Sequence, residues 1–140
     1  MAKILVLGAG MVAGPLVRYL LEAGARVTVT SLEAAEAERL VGGHQAGEAR
    51  AFDLADDAGL STLVGAHDLV VSLVPYAFHP KVAGHCLRHG KHLVTASYVA
   101  PAMQELDGAA RAQGLTFLNE LGLDPGIDHM SAMRVIDAVA

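Results

Sequence analysis

The chain holds a single cysteine, Cys86, and no tryptophan, and only 4% of its residues are aromatic. A lone thiol excludes an internal disulfide and any cysteine-cluster metal site, and an isolated cysteine reads as a small core hydrophobe. Basic residues are scarce and scattered singly: 10 Lys and Arg against 15 Asp and Glu give a formal charge of -5. Without a basic stripe to neutralise phosphates, no nucleic acid partner is expected. Long apolar runs are missing too. The opening "MAKILVLGAG" breaks at its glycines well before the length of a signal peptide's apolar region or a membrane span, so a cytoplasmic protein with no membrane attachment is expected.

What is abundant is aliphatic: 53% of the 140 residues are hydrophobic, enough for one good core and one domain. Short Val/Leu/Ile runs alternate with helix-like stretches, the pattern of parallel strands joined by crossover helices. Strands are expected near 3–7, 26–30, 48–52, 68–73, 92–95 and 115–118, and helices near 11–23, 33–41, 57–65, 79–89, 101–113 and 129–139. Runs such as "KILVLG" and "HDLVVSLV" are apolar at consecutive positions, as when both faces of a sheet are covered. In the first helix Val12, Leu16, Leu20 and Leu21 form one stripe, Pro15 falls in the first turn, and Gly24 is the stop. The expected fold is α/β, a Rossmann-like doubly wound, mostly parallel six-stranded sheet with helices on both faces. Residues 1–140 read as a single dinucleotide-binding domain.

The binding expectation rests on "VLGAGMVAG", which places Gly8, Gly10 and Ala13 in a G-x-G-x-x-G/A arrangement between a strand and a helix. Gly8 permits a tight turn, Gly10 lets a pyrophosphate approach the backbone, and small Ala13 lets the helix pack on the sheet. The helix start, at Met11 and Val12, offers free N–H groups and a positive dipole end to phosphate. Near the end of the second strand an NAD enzyme has an acid for the ribose hydroxyls, and this chain has Thr30 and Ser31. The missing acid tilts the expected cofactor toward NADP, with NAD as the alternative. Glu33 is nearby, and Arg39 either reaches back or lies on a solvated helix face.

Ligands of doubly wound folds lie at the carboxyl ends of the strands, which directs attention to "SLVPYAFHP", "TASYVAP" and "NELGLDPGIDH". Ser72, Val74, Pro75, Tyr76 and His79 are expected beside the cofactor's middle and nicotinamide end, and Thr95, Ser97 and Tyr98 next to the ring. Tyr98, Asp124 and Asp128 are candidates for proton transfer or substrate orientation. The competing explanation is that Pro, Gly, Asp and Ser are ordinary turn formers. His85, His89 and His92 gather at one helix end, but no third ligand is evident and no metal is expected. Met103, Met130 and Met133 read as core or interface fillers.

In their order, "VSLVPY", "TASYVAPAMQELD" and "NELGLDPGIDH" make the chain resemble, through nearly its whole length and most strongly over residues 67–133, the NADP-dependent, L-glutamate-forming saccharopine dehydrogenases, or saccharopine reductases. The resemblance implies an oxidoreductase of lysine metabolism, including amino-acid biosynthesis. Such an enzyme joins L-glutamate and α-aminoadipate semialdehyde through an imine that NADPH reduces to saccharopine, or runs the reverse. It assigns Gly8, Gly10 and the "VPY" loop to the cofactor and sets Tyr98 and Asp124 near a small-molecule substrate, saccharopine or a related amino dicarboxylate. Asp128 and His129 belong to the same signature. It also implies a substrate and dimerisation domain absent from this chain, a homodimer for the full-length enzyme, and incomplete catalysis by these residues alone. In place of the Arg that the family commonly carries after the second strand stand Leu32 and Glu33. A related imine reductase of the carboxynorspermidine type and a non-catalytic NADP-binding module are the alternative functions.

Overall fold

The computed structural model describes all of residues 1–140. Six strands, Lys3–Leu7 (β1), Arg26–Ser31 (β2), Gly47–Ala51 (β3), Leu69–Ser72 (β4), His92–Thr95 (β5) and Phe117–Leu118 (β6), form one sheet. Their order is β3-β2-β1-β4-β5-β6 and every pairing is parallel. The reversal of strand order beside β1 is the switch point of a doubly wound fold, where parallel strands leave a crevice at their carboxyl ends.

Alternation along β1 explains the two cores. Ile4 and Val6 face one side with Val17 and Leu21 of Ala13–Glu22 (α1) and Ala37 and Val41 of Ala34–Val41 (α2). Leu5 and Leu7 face the other, against Leu60 and Val64 of Asp57–Gly65 (α3) and Val82 and Cys86 of His79–His89 (α4). Burying such side chains on both faces contributes roughly 1.5–3 kcal/mol apiece, which is why the strands read as unbroken apolar runs.

The first helix departs from the expected stripe. Its buried face is Ala13, Val17 and Leu21, with Leu16 and Leu20 half-buried, while Val12 precedes the helix and is 69% exposed. Pro15 does occupy the first turn. Beyond Ala23 the amide of Gly24 donates to the carbonyl of Leu21 and that of Ala25 to Leu20, a paired closure that ends the helix where its glycine stands. The helix expected over 101–113 is two short ones, Pro101–Gln104 (α5) and Asp107–Ala112 (α6), and the last strand is only two residues long. The last helix, Ile127–Val139 (α7), starts two residues earlier than the sequence suggests and has no buried residue. Met103 is core, whereas Met130 and Met133 lie exposed on α7. No helix is long and apolar enough to cross a membrane.

Candidate functional site

Parallel strands bring the loops after β1 to β6 to one edge of the sheet. The glycine turn leaves β1 there, tied to β2 by the Gly8 amide on the Thr30 carbonyl at 3.0 Å. Gly8 has φ +104°, and a Cβ on it would sit 2.8 Å from the Leu73 carbonyl oxygen, so only glycine lets this turn lie against the exit of β4. At Gly10 an added Cβ would meet nothing within 4 Å, which leaves that face open to an incoming group. The amides of Gly10, Met11 and Val12 find no acceptor within the chain. These are the unpaired donors of a helix start, and with the positive end of the helix dipole they fit a pyrophosphate.

Beside this turn lies a cavity of about 240 Å³ between the ends of β1 to β4, lined in part by Gly8, Ser31, Val74 and Pro75. Its walls also include Leu32, which stands where the family commonly carries an Arg, together with Phe52, Asp53, Leu54 and Phe78, and none of these last four was singled out from the sequence. A mostly apolar slot with few polar groups suits a flat aromatic ring. Phe52, Asp53 and Leu54 were findable in principle, because they directly follow β3 and must emerge at the same edge. Tyr76, in the 3-10 turn Tyr76–Phe78, is 51% exposed and does not line the slot, where Phe78 stands instead. A larger groove of about 340 Å³ surrounds Lys3, Arg26, Thr28 and His67, at the opposite edge where the strands begin. His67 is spent there on the Leu63 carbonyl and the Thr28 hydroxyl, at 2.7 and 2.9 Å.

Ser72 and His79, expected beside the cofactor's middle and nicotinamide end, are buried. His79 Nδ1 bonds Ser72 Oγ at 2.9 Å and its Nε2 bonds Ser97 Oγ at 2.8 Å, so one imidazole ties the ends of β4 and β5 together. Burial holds its pKa below the ordinary 6.5, so the ring is neutral and carries one donor and one acceptor. Thr95 is also turned inward, where its hydroxyl accepts from the Ser97 amide at 3.2 Å.

Tyr98 and Asp124 come together across 26 residues of sequence: the phenol donates to Asp124 Oδ1 at 2.6 Å. That bond, followed by partial burial and the negative charges of Asp124, Asp128 and Glu120, raises the Tyr98 pKa above the usual 10.0. A phenol kept protonated beside a carboxylate can donate a proton or orient a polar substrate. His129 sits edge-on to the Tyr98 ring with centroids 6.3 Å apart. Asp128 is turned away to cap its own loop, accepting from the Gly126 amide at 2.8 Å.

The loop that delivers Asp124 is closed by the Gly122 amide on the Pro125 carbonyl and the Ile127 amide on the Gly122 carbonyl, at 2.9 and 3.0 Å. Gly126 adopts φ +147°, and a Cβ there would fall 2.1 Å from the Gly122 oxygen. The run "GLDPGIDH" is thus a closed turn that presents one carboxylate to Tyr98. Glu120, the one non-glycine residue with positive φ, accepts from the Val99 amide at 3.2 Å and fastens this loop to the loop after β5.

The clustered histidines are spoken for separately. His85 bonds Asp57 at 3.0 Å, His89 bonds Ser61 at 2.8 Å, and His92 accepts from the Thr116 amide at 3.0 Å. At the end of β2, Ser31 donates to the Glu36 carboxylate from the first turn of α2. Arg39 does not reach the cleft; it lines a groove with Arg18, Glu22 and His44 at the far end of α1 and α2.

Residues 4–118 match the family described as "Saccharopine dehydrogenase NADP binding domain". A "Saccharopine dehydrogenase [NADP(+), L-glutamate-forming]" of Pyricularia oryzae is 46% identical over 137 residues, covering 98% of this chain and 30% of the relative. The mitochondrial "Alpha-aminoadipic semialdehyde synthase" of Bos taurus is 41% identical over 136 residues, 96% of this chain and 15% of that protein. Among solved structures, the apo saccharopine dehydrogenase (L-Glu forming) of Saccharomyces cerevisiae superposes with a TM-score of 0.89 at 38% identity, across 99% of this chain and 31% of that one. The chain thus spans about a third or less of the length of these relatives. With fold, glycine turn and sequence in agreement, the chain belongs to the saccharopine dehydrogenase NADP-binding domain family.

Proposed function

We propose that residues 1–140 form the NADP-binding domain of an oxidoreductase acting on CH–NH groups, of the L-glutamate-forming saccharopine dehydrogenase type. The observation that carries this reading is the 46% identity running through 98% of the chain to a relative of that name. The reaction would join L-glutamate and α-aminoadipate semialdehyde through an imine and reduce it to saccharopine, or run the reverse, in lysine metabolism. On this reading the groups that hold the substrate carboxylates, and the dimer contacts, would come from outside residues 1–140. A cytoplasmic location and a homodimer are part of the same reading, and the lone free thiol of Cys86 fits a reducing compartment.

The residues present fit a dinucleotide. The open amides of Gly10, Met11 and Val12 would hold its pyrophosphate, Gly8 keeps their turn in place, and the slot bounded by Ser31, Val74 and Pro75 would take its adenosine end. When bound, the cofactor supplies or accepts a hydride. Ser97, fixed by His79, would border the nicotinamide. Tyr98 would hold a proton at its phenol oxygen for the substrate amine, and Asp124 would aim that phenol. Tyr76, just beyond that slot, would border the cofactor between its two ends.

The test is NADPH absorbance on the protein from the complete reading frame. Saccharopine with NADP should generate NADPH, and carboxynorspermidine should not. Turnover of carboxynorspermidine alone would transfer the protein to polyamine chemistry.

A further inference from the structure

The end of β2 holds a carboxylate that strand-end sequence alone does not show. Glu36 stands five residues past Ser31, but the first turn of α2 carries it back to accept the Ser31 hydroxyl. Ser31 and Leu32 line the slot beside the glycine turn, at the strand end where a doubly wound domain meets the adenosine ribose. We infer that Glu36, aligned by Ser31, is the coenzyme-selectivity residue of this chain, favouring a free ribose 2′-hydroxyl over a 2′-phosphate, so that the cleft accepts NADH as well as NADPH.

Two features support the assignment. A carboxylate accepts a hydrogen bond from a hydroxyl, whereas a phosphate has none to give and is repelled. Nor is there a cation to offset that repulsion. None of the residues lining the slot is Lys or Arg, and the one titratable group among them is Asp53. Three basic side chains of the neighbouring elements lie outside that lining. Lys81 donates to the Leu54 carbonyl at 2.5 Å and lies 3.5 Å from Asp57, Arg50 pairs with Glu48 at 2.6 Å, and Arg39 lies in the groove at the far end of α1 and α2. The bland alternative is that Glu36 only complements the dipole of α2. Such a role would change the stability of Glu36 variants without changing their preference between coenzymes.

The inference rests on the cofactor reading above, and one experiment separates the two. The chain, its Glu36→Gln variant and its Glu36→Lys variant are titrated with NADPH and with NADH, following nicotinamide fluorescence. The parent should bind both with dissociation constants within about tenfold of each other, while Glu36→Gln should move their ratio toward NADPH by roughly tenfold and Glu36→Lys further. Binding of both coenzymes with a ratio unmoved by either substitution would overturn the assignment of Glu36 and leave the cofactor reading standing. A strong parent preference for NADPH would overturn it too. Binding of neither coenzyme by the folded parent would overturn the cofactor reading and the inference with it.

Discussion

Tyr98 and Asp124 share a 2.6 Å hydrogen bond although one follows β5 and the other lies in the turn after β6. The phenol is the donor, so the pair stores a proton next to a negative charge. Asp124→Asn removes the charge that stabilises the protonated phenol, and the Tyr98 pKa should fall toward 10.0. Phenolate absorbance followed through an alkaline titration, with Tyr98→Phe to identify the signal, reads the shift. An unchanged Tyr98 titration in Asp124→Asn would show that the bond does not govern this proton.

The glycines of the phosphate turn should separate stability from binding. Gly8→Ala puts a methyl 2.8 Å from the Leu73 oxygen at φ +104° and should cost roughly 2–4 kcal/mol, seen in denaturant unfolding. Gly10→Ala meets only open space in the chain, so its unfolding midpoint should stay near that of the parent.

Acid should act in two windows. The folded pKa of His79 is depressed below 6.5, so the unfolded chain binds that proton more readily and stability falls as pH drops below 6.5. Asp57, held low chiefly by its hydrogen bond with His85, and Asp68, held low chiefly by the Lys3 amide, stabilise the fold above 3.8. Their contribution is lost only as pH falls further, through their folded values. The slope of melting temperature against pH between 6.5 and 3.8 should therefore flatten in His79→Gln, whatever that variant does to the melting temperature itself.

Cys86 should behave as core, not as a nucleophile. It is fully buried in the cluster with Leu60 and Leu93, and burial pushes its thiol up to about 12. An aromatic disulfide reagent should leave it unmodified in the native chain and react promptly after denaturation. Rapid native labelling would contradict this burial.

The sheet was legible because parallel strands covered on both faces are written as continuous aliphatic runs, and the glycine turn because its backbone geometry demands small residues at fixed spacing. Less legible was anything set by helix phase. Val12 reads as part of the α1 stripe, yet it precedes the helix, and the buried line runs through Ala13, Val17 and Leu21. The site shows the same division. The sequence marks Ser31, Val74, Pro75, Tyr98 and Asp124, all at or beyond strand ends along one edge. It does not show that His79 turns inward to join Ser72 and Ser97, or that α2 returns Glu36 to Ser31, because both depend on where a helix begins.

The most direct test of the account is calorimetric titration of the folded chain with NADPH, beside its Gly10→Asp variant. The account predicts saturable binding of one NADPH per chain, abolished in Gly10→Asp while its melting temperature stays close to that of the parent. Equal binding by both proteins, or none by the folded parent, would contradict a pyrophosphate site on the open amides of Gly10, Met11 and Val12.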